Sequence, residues 1–239
     1  AQLEGTTVEL MKMGEPGVPT LDAFLDSKLV KGDKLGFDGR VVSMDEGSLY
    51  EGIALKHGGC IEYSLDLIDE IWTDRPPLSE KPAFELDVKY AGKTVADKLS
   101  DIREKMAAAE ADMHVVTTID DICWTLNIRG DDIDFFPLIL SYALMDDKAY
   151  HLYIDERKLS DEIKAHLTAD GVVLHPYNDI YEDIKHIPAD AKLMLDASKV
   201  NYAMFCNIPD SVKKIDVMNP EMIFKNVKNP VELENIRKA

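Results

Sequence analysis

A chain of 239 residues is long enough for one large domain or two ordinary ones, and 46% hydrophobic with 30% charged residues fits a globular protein with a real core. Forty-five acidic against 27 basic residues give a net charge of −18, which argues against phosphate-backbone partners and leaves no nucleic-acid role. No apolar run approaches the length of a membrane span, so neither a membrane segment nor a signal peptide is expected.

From Val8 onward short apolar runs alternate with longer amphipathic ones, the rhythm of an α/β protein. VELMKMG (8–14) reads as a strand, TLDAFLDSKL (20–29) as a helix and KLGFDGR (34–40) as a strand. SLYEGIALKHG is a helix, CIEYS a strand and LDLIDEIW a helix. TDRPPLSEKP, with three prolines, then reads as a linker. The long helix TVADKLSDIREKMAAAEA follows, with Val95, Leu99, Ile102 and Met106 on one face. HVVTTI is a strand, DDICWTLNI a short helix or turn, and ALMDD with AYHLYID a hairpin turning near Asp147 and Lys148. The helix DEIKAHLTA, the strand GVVLHPY, the helix DIYEDIKHI, the strand AKLMLDAS, the helix NYAMFCNI, the strand KKIDVMN and the helix PEMIFKN complete the series.

Two stretches share an order of elements. VELMKMG, helix, LGFDGR, helix, CIEYSLDLIDEIW overlays VVLHPYN, helix, LMLDAS, helix, KIDVMNPEMIFKN, with Asp38 and Asp196 at the same place after their strands. That order suggests a duplicated module whose first copy lacks its front half. The last residues, KNPVELENIRKA, start a helix. Asn229 is a good N-cap, Pro230 suits the first helical position, and Glu232 can reach back to the Asn229 amide. With an alanine at position 1, both ends read as cuts.

Few residues invite chemistry. Cys60, Cys123 and Cys206 form no CxxC pair and sit among apolar neighbours, which predicts buried thiols in a reducing cytoplasm. The six histidines make no HxH, HxxxH or HExxH, so no metal site is expected in this chain. His114, His151 and His175 fall in predicted strands, as hydrogen-bonded structural histidines would. Asp131, Asp132 and Asp134 lack the glycine and terminal glutamate of a calcium loop and read as a solvated or capping cluster. There is no GxGxxG or GxxxxGK[ST] pattern, and no serine with a nucleophile-elbow setting. Arg129 lies in a turn beside Gly130, Asp131 and Asp132. It either forks onto one of those acids or holds a carboxylate from elsewhere.

"LDLIDEIWTDRPPLSEKPAFELDVKYAGKTVADKLSDIREKM" resembles the segment joining the first two domains of three-domain Xaa-Pro aminopeptidases. "DDICWTLNIRGDDIDFFPLILSYALM" resembles that family's second-domain motif, matched by Trp124, Leu126, Asn127, Arg129, Gly130, Asp132 and Pro137; Thr125 separates Trp124 from Leu126, and Phe135-Phe136 departs from a frequent Tyr-Asn pair. The resemblance implies an α/β fold of two creatinase-N-terminal-like modules with a ribonuclease H-like motif, each a mixed sheet flanked by helices, the first incomplete. Residues 1–73 would be the end of the first module, 74–92 a Pro-rich linker, 93–227 the second module and 228–239 the start of a catalytic domain. It implies a cytoplasmic enzyme removing the N-terminal residue from peptides with proline second. This chain would be its inactive N-terminal region, aiding substrate access and homodimer assembly. Two divalent metals, manganese or zinc, would be held by the catalytic domain, whose two aspartates, histidine and two glutamates are not here. Arg129 and Asp132 are the candidate substrate or interdomain contacts. The alternative is an acidic partner-binding module of a peptidase-like non-enzyme, such as a histone-chaperone subunit.

Overall fold

Short polar side chains ahead of the apolar runs start most helices, and the strands between them are short. The computed structural model describes residues 3–238; Ala1, Gln2 and Ala239, at the ends of the predicted outer segments, lie outside them. In the first part, α1 (Leu21–Lys28) leads to β1 (Lys34–Gly36), α2 (Met44–Lys56), β2 (Cys60–Glu62) and α3 (Leu67–Ile71). Ser43 and Glu46 form a full capping box on α2. β1 and β2 pair in parallel, Lys34 opposite Cys60, as a two-stranded sheet. The strand expected over residues 8–14 does not form. A strand needs a ladder partner for its backbone groups, and this segment has none, leaving Val8, Leu10 and Met13 exposed.

Residues 73–83 are irregular, as proline content predicts. The expected linker is nevertheless shorter than 74–92, because β3 (Phe84–Glu85) and α4 (Val88–Ala91) lie within that range. Next come α5 (Val95–Ala108), β4 (Met113–Val116), α6 (Ile119–Thr125), β5 (Ile128–Arg129), β6 (Ser141–Met145) and β7 (Tyr150–Ile154). A 3-10 turn, α7 (Asp161–Ala169), β8 (Val172–His175), α8 (Ile180–Asp183), β9 (Lys192–Leu195), α9 (Tyr202–Asn207), β10 (Lys213–Asp216), α10 (Pro220–Asn226) and α11 (Pro230–Lys238) follow. The large sheet runs β10-β9-β4-β6-β7-β8, with β6 antiparallel to β4 and β7 and the remaining pairs parallel.

Period-two alternation divides this sheet between two cores. Val116, Ala143, Met145, Leu152 and Ile154 face α5, α6 and α7 through Leu99, Ile102, Ile122, Ile163 and Leu167. Val115, Leu144, Tyr153, Leu193 and Leu195 face Ile180, Ile184, Val200 and Met204 on the other side. His114 is buried on β4, with Nδ1 3.1 Å from the Met194 carbonyl and Nε2 3.1 Å from Glu221 of α10. His151 and His175 meet across β7 and β8 at 2.9 Å. All three are hydrogen-bonded strand histidines, as expected. Of the cysteines only Cys123 is buried; Cys60 and Cys206 are exposed, because strand and helix ends at the rim do not cover them.

The two similar stretches meet face to face. Aligning Asp38 with Asp196 makes Val42, Ser43 and Met44 counterparts of Val200, Asn201 and Tyr202. Met44 N donates to Val200 O at 2.7 Å while Tyr202 N donates to Val42 O at 2.8 Å. Asp45 N donates to Ala197 O and Ala203 N to Gly39 O, again a reciprocal pair. Each Asp Oδ1 accepts the amide two residues on, Arg40 or Ser198. Ser43 and Asn201 both cap a helix and bridge each other. The contact therefore has local twofold character.

Gly47 breaks the symmetry. A Cβ there would overlap the ring of Tyr202, which is buried against it and whose hydroxyl donates to Glu51 at 2.9 Å. Gly47→Val should cost about 1–3 kcal/mol by overpacking and lower the melting temperature by several degrees. Amide exchange should quicken first in β1 and β2 and leave β4 and β6 protected. Thermal melts with exchange mass spectrometry would check both, and wild-type behaviour would contradict the docking described.

Candidate functional site

The Arg129 loop grows from the end of α6. Asn127 takes φ +51°, a left-handed conformation that asparagine tolerates, and turns the chain from α6 into β5. Its side chain accepts from Lys98 Nζ at 2.6 Å and donates to Lys93 O at 2.9 Å, while its carbonyl accepts Leu86 N. β5 then pairs antiparallel with β3, Phe84 opposite Arg129. Gly130 permits the return strand to pass close, since a Cβ there would lie 2.9 Å from Ile139 Cβ.

Arg129 does not fork onto its neighbouring acids. Its Nη1 donates to the carbonyls of Cys123 at 2.7 Å and Ile128 at 2.8 Å. Asp131 is instead drawn outward to Lys81 at 2.6 Å. Asp132, expected in a solvated or capping cluster, has a buried side chain: Oδ2 accepts from Lys158 Nζ and Leu140 N, both at 2.7 Å, and Oδ1 has no protein partner among the described residues. The two candidates thus do different work within one loop. Asp132 pins its return, and Arg129 braces its entry.

Between them the tip is apolar. Phe135 has φ +68° and is 100% exposed, with Phe136 and Ile133 beside it. A left-handed phenylalanine is strained, and here it stands with its neighbours as an exposed apolar tip.

Behind Arg129 lies a cavity of about 250 Å³ lined by Tyr90, Lys98, Trp124, Arg129, Glu232 and Asn235 among others. Lys98 is only 1% exposed, donates to Trp124 O and Asn127 Oδ1 at 2.6 Å, and stands 4.1 Å over the Trp124 ring. Burial, reinforced by Arg129, brings its pKa down to about 8. Burial also lowers that of Arg129. α11 closes one side. Asn229 accepts Val231 N and Glu232 N, and Glu232 accepts Asn229 N, so the predicted capping box is present. The helix also finds support, since Asn229 and Asn235 donate to the carbonyls of Ala91 and Tyr90 on α4.

Lys98, Lys158 and Glu232 were not singled out from sequence as site residues. Lys98 had one readable signal, its place between Val95 and Ile102 on the apolar face of α5. Lys158 had none. Among the described residues no group of three or more His, Cys, Asp or Glu could hold a metal ion, and no helix is long and apolar enough to cross a membrane. The residues present do not fit a metal centre, and the loop and cavity offer binding chemistry.

Asp132→Asn should destabilise the chain by about 3–5 kcal/mol, because it leaves Lys158 buried without its partner. Arg129→Ala removes two bonds to carbonyls near a cavity and should melt much closer to the wild type. Paired thermal unfolding checks the ranking; a larger loss for Arg129→Ala would make that arginine structural.

A sequence profile of the creatinase/prolidase N-terminal domain matches residues 74–232, more than half of the chain. A probable Xaa-Pro aminopeptidase P of Neurospora crassa is 32% identical over 242 residues, covering 96% of this chain and 35% of the relative. An Xaa-Pro aminopeptidase of Caenorhabditis elegans is 33% identical over 246 residues, covering 100% of this chain and 40% of the relative. A crystal structure of X-prolyl aminopeptidase from Caenorhabditis elegans, described as a cytosolic enzyme with a di-nuclear active site, superposes with a TM-score of 0.91 at 32% identity, over 96% of this chain and 38% of that one. The chain therefore spans well under half the length of these relatives.

Proposed function

The chain belongs to the creatinase/prolidase N-terminal domain family, and from that premise we propose that it is the non-catalytic N-terminal region of an Xaa-Pro aminopeptidase. The observation that carries this reading is the agreement in backbone and sequence with the Caenorhabditis elegans enzyme along 96% of the chain. In this reading the full-length protein is a cytoplasmic hydrolase that removes the N-terminal residue from peptides with proline second. A separate catalytic domain supplies two divalent metals, manganese or zinc, whose chemistry is to activate a water as nucleophile. Residues 1–73 are the end of a first module, 93–227 a second, and 228–239 lead into the catalytic domain.

The region shapes access to that domain and contributes to a homodimer. The strained, exposed Phe135 tip and Arg129 are its contacts toward the catalytic domain or the peptide, with Asp132 holding the loop that presents them. The partner-binding alternative rests on the same modules occurring in peptidase-like non-enzymes and on the net charge of −18, which solubility also explains.

The chain by itself should leave an Xaa-Pro peptide intact in manganese or zinc buffer, while a longer polypeptide carrying the catalytic domain should release its first residue. In that longer protein Arg129→Ala should lower kcat/KM about ten- to a hundredfold, the worth of a charge-assisted hydrogen bond. Hydrolysis by the chain alone would overturn the non-catalytic reading. Unchanged kcat/KM in Arg129→Ala would remove that residue from the site.

A further inference from the structure

Lys98 is buried and Arg129 half-buried, and neither forms an ion pair among the described residues, although Glu232 across the cavity favours the charged form of both. Lys98 Nζ is held by a backbone carbonyl and an amide oxygen, and Arg129 Nη1 by two backbone carbonyls. Among the described residues, neither has a carboxylate oxygen within 4.0 Å. Buried charges are ordinarily paired, since neutral oxygens recover only part of the lost hydration. Lys228, the third cation on the cavity wall, also bonds to a carbonyl, that of Lys225. Among the described residues the one acid lining the cavity is Glu232, and its oxygens are engaged by Asn229 N and Trp124 Nε1. In a chain of net charge −18 this cavity is locally positive. Arg129 Nε and Nη2 take no partner among the described residues and leave two donors for a ligand.

We propose that the cavity between Lys98 and Arg129 binds a carboxylate. The guanidinium provides a planar fork for the two oxygens, and the ammonium lies behind it over the Trp124 ring. A volume of about 250 Å³ admits an acid with a body of one or two residues. Such a group comes either as a free small acid or as the C-terminus of a short peptide. The inference takes from the preceding section only that Arg129 faces a ligand; it is tested on this chain and stands or falls apart from any peptidase activity.

Binding would require Lys98 protonated, against the opposing influence of Arg129 and Lys93 and with the help of Glu232. Lys228 ahead of α11, Tyr90 on α4 and Cys123 on α6 are the other titratable groups at hand. The ammonium is charged below about pH 8, so affinity should fall as pH rises through that value, and a bound anion should hold Lys98 protonated to higher pH.

The chain would be titrated by NMR with acetate, acetylglycine and acetylglycinamide, following the Trp124 indole and Arg129 Nε–H signals. Both acids should shift them saturably, the amide should not, and Arg129→Gln should weaken binding about ten- to a hundredfold. Tighter binding of acetylglycine than acetate identifies a peptide terminus; equal binding identifies a small acid. In the wild type, either acid should also raise the midpoint of the Lys98 ε-carbon titration followed by ¹³C NMR, a readout that does not depend on the variant folding. No saturable shift, an equal response to the amide, or an unmoved Lys98 midpoint would overturn the proposal.

Discussion

A buried ammonium that meets only neutral oxygens is the constraint on which the rest of this structure turns. Lys98 ties α5 to the carbonyl end of α6 and to Asn127, and Asn127 in turn ties the turn before α5 and the chain entering α4. Residues 86–98 and 124–127 are tied together through these two residues. Such a cation is costly unless its bonds are well formed, so the cost itself enforces the geometry. The left-handed Asn127 and the β3–β5 pairing lie at this junction.

The second constraint is the reciprocal contact between the two stretches of like element order. Reciprocal bonds between the Asp38 and Asp196 turns let one local solution, an aspartate turn followed by a capped helix, serve on both sides of a contact. Identical surfaces would make that contact indifferent to which copy it met. Gly47 against Tyr202 removes the indifference, because the counterpart of Gly47 is Phe205, and a side chain there has no room beside the tyrosine ring. The pairing is thereby specified as first stretch on second.

Much of this was legible in the sequence. α7 was placed to the residue, because Ser160 caps it and a glycine follows it. The β6–β7 hairpin and the Asn229 capping box were equally plain, being local chemistry of adjacent residues. Failures arose where a distant partner decides. Residues 8–14 have strand composition but no ladder to join. β3 exists only because β5 lies beside it. Asp132 looked like one acid among three until Lys158, in the turn after β7, selected it for burial. Arg129 does not fork onto Asp131 or Asp132, and the carbonyls it meets instead carry no mark in the sequence.

The account stands most directly on the charge state of Lys98. A ¹³C NMR titration of its ε-carbon reads that state without perturbing the fold. An ammonium buried without a counter-ion should lose its proton near pH 8, and Arg129→Gln should move the midpoint upward by removing a neighbouring positive charge. A midpoint near the ordinary lysine value of about 10.4 would mean that water or a carboxylate already reaches the amine, and the picture of an uncompensated cation at the centre of the site would be wrong.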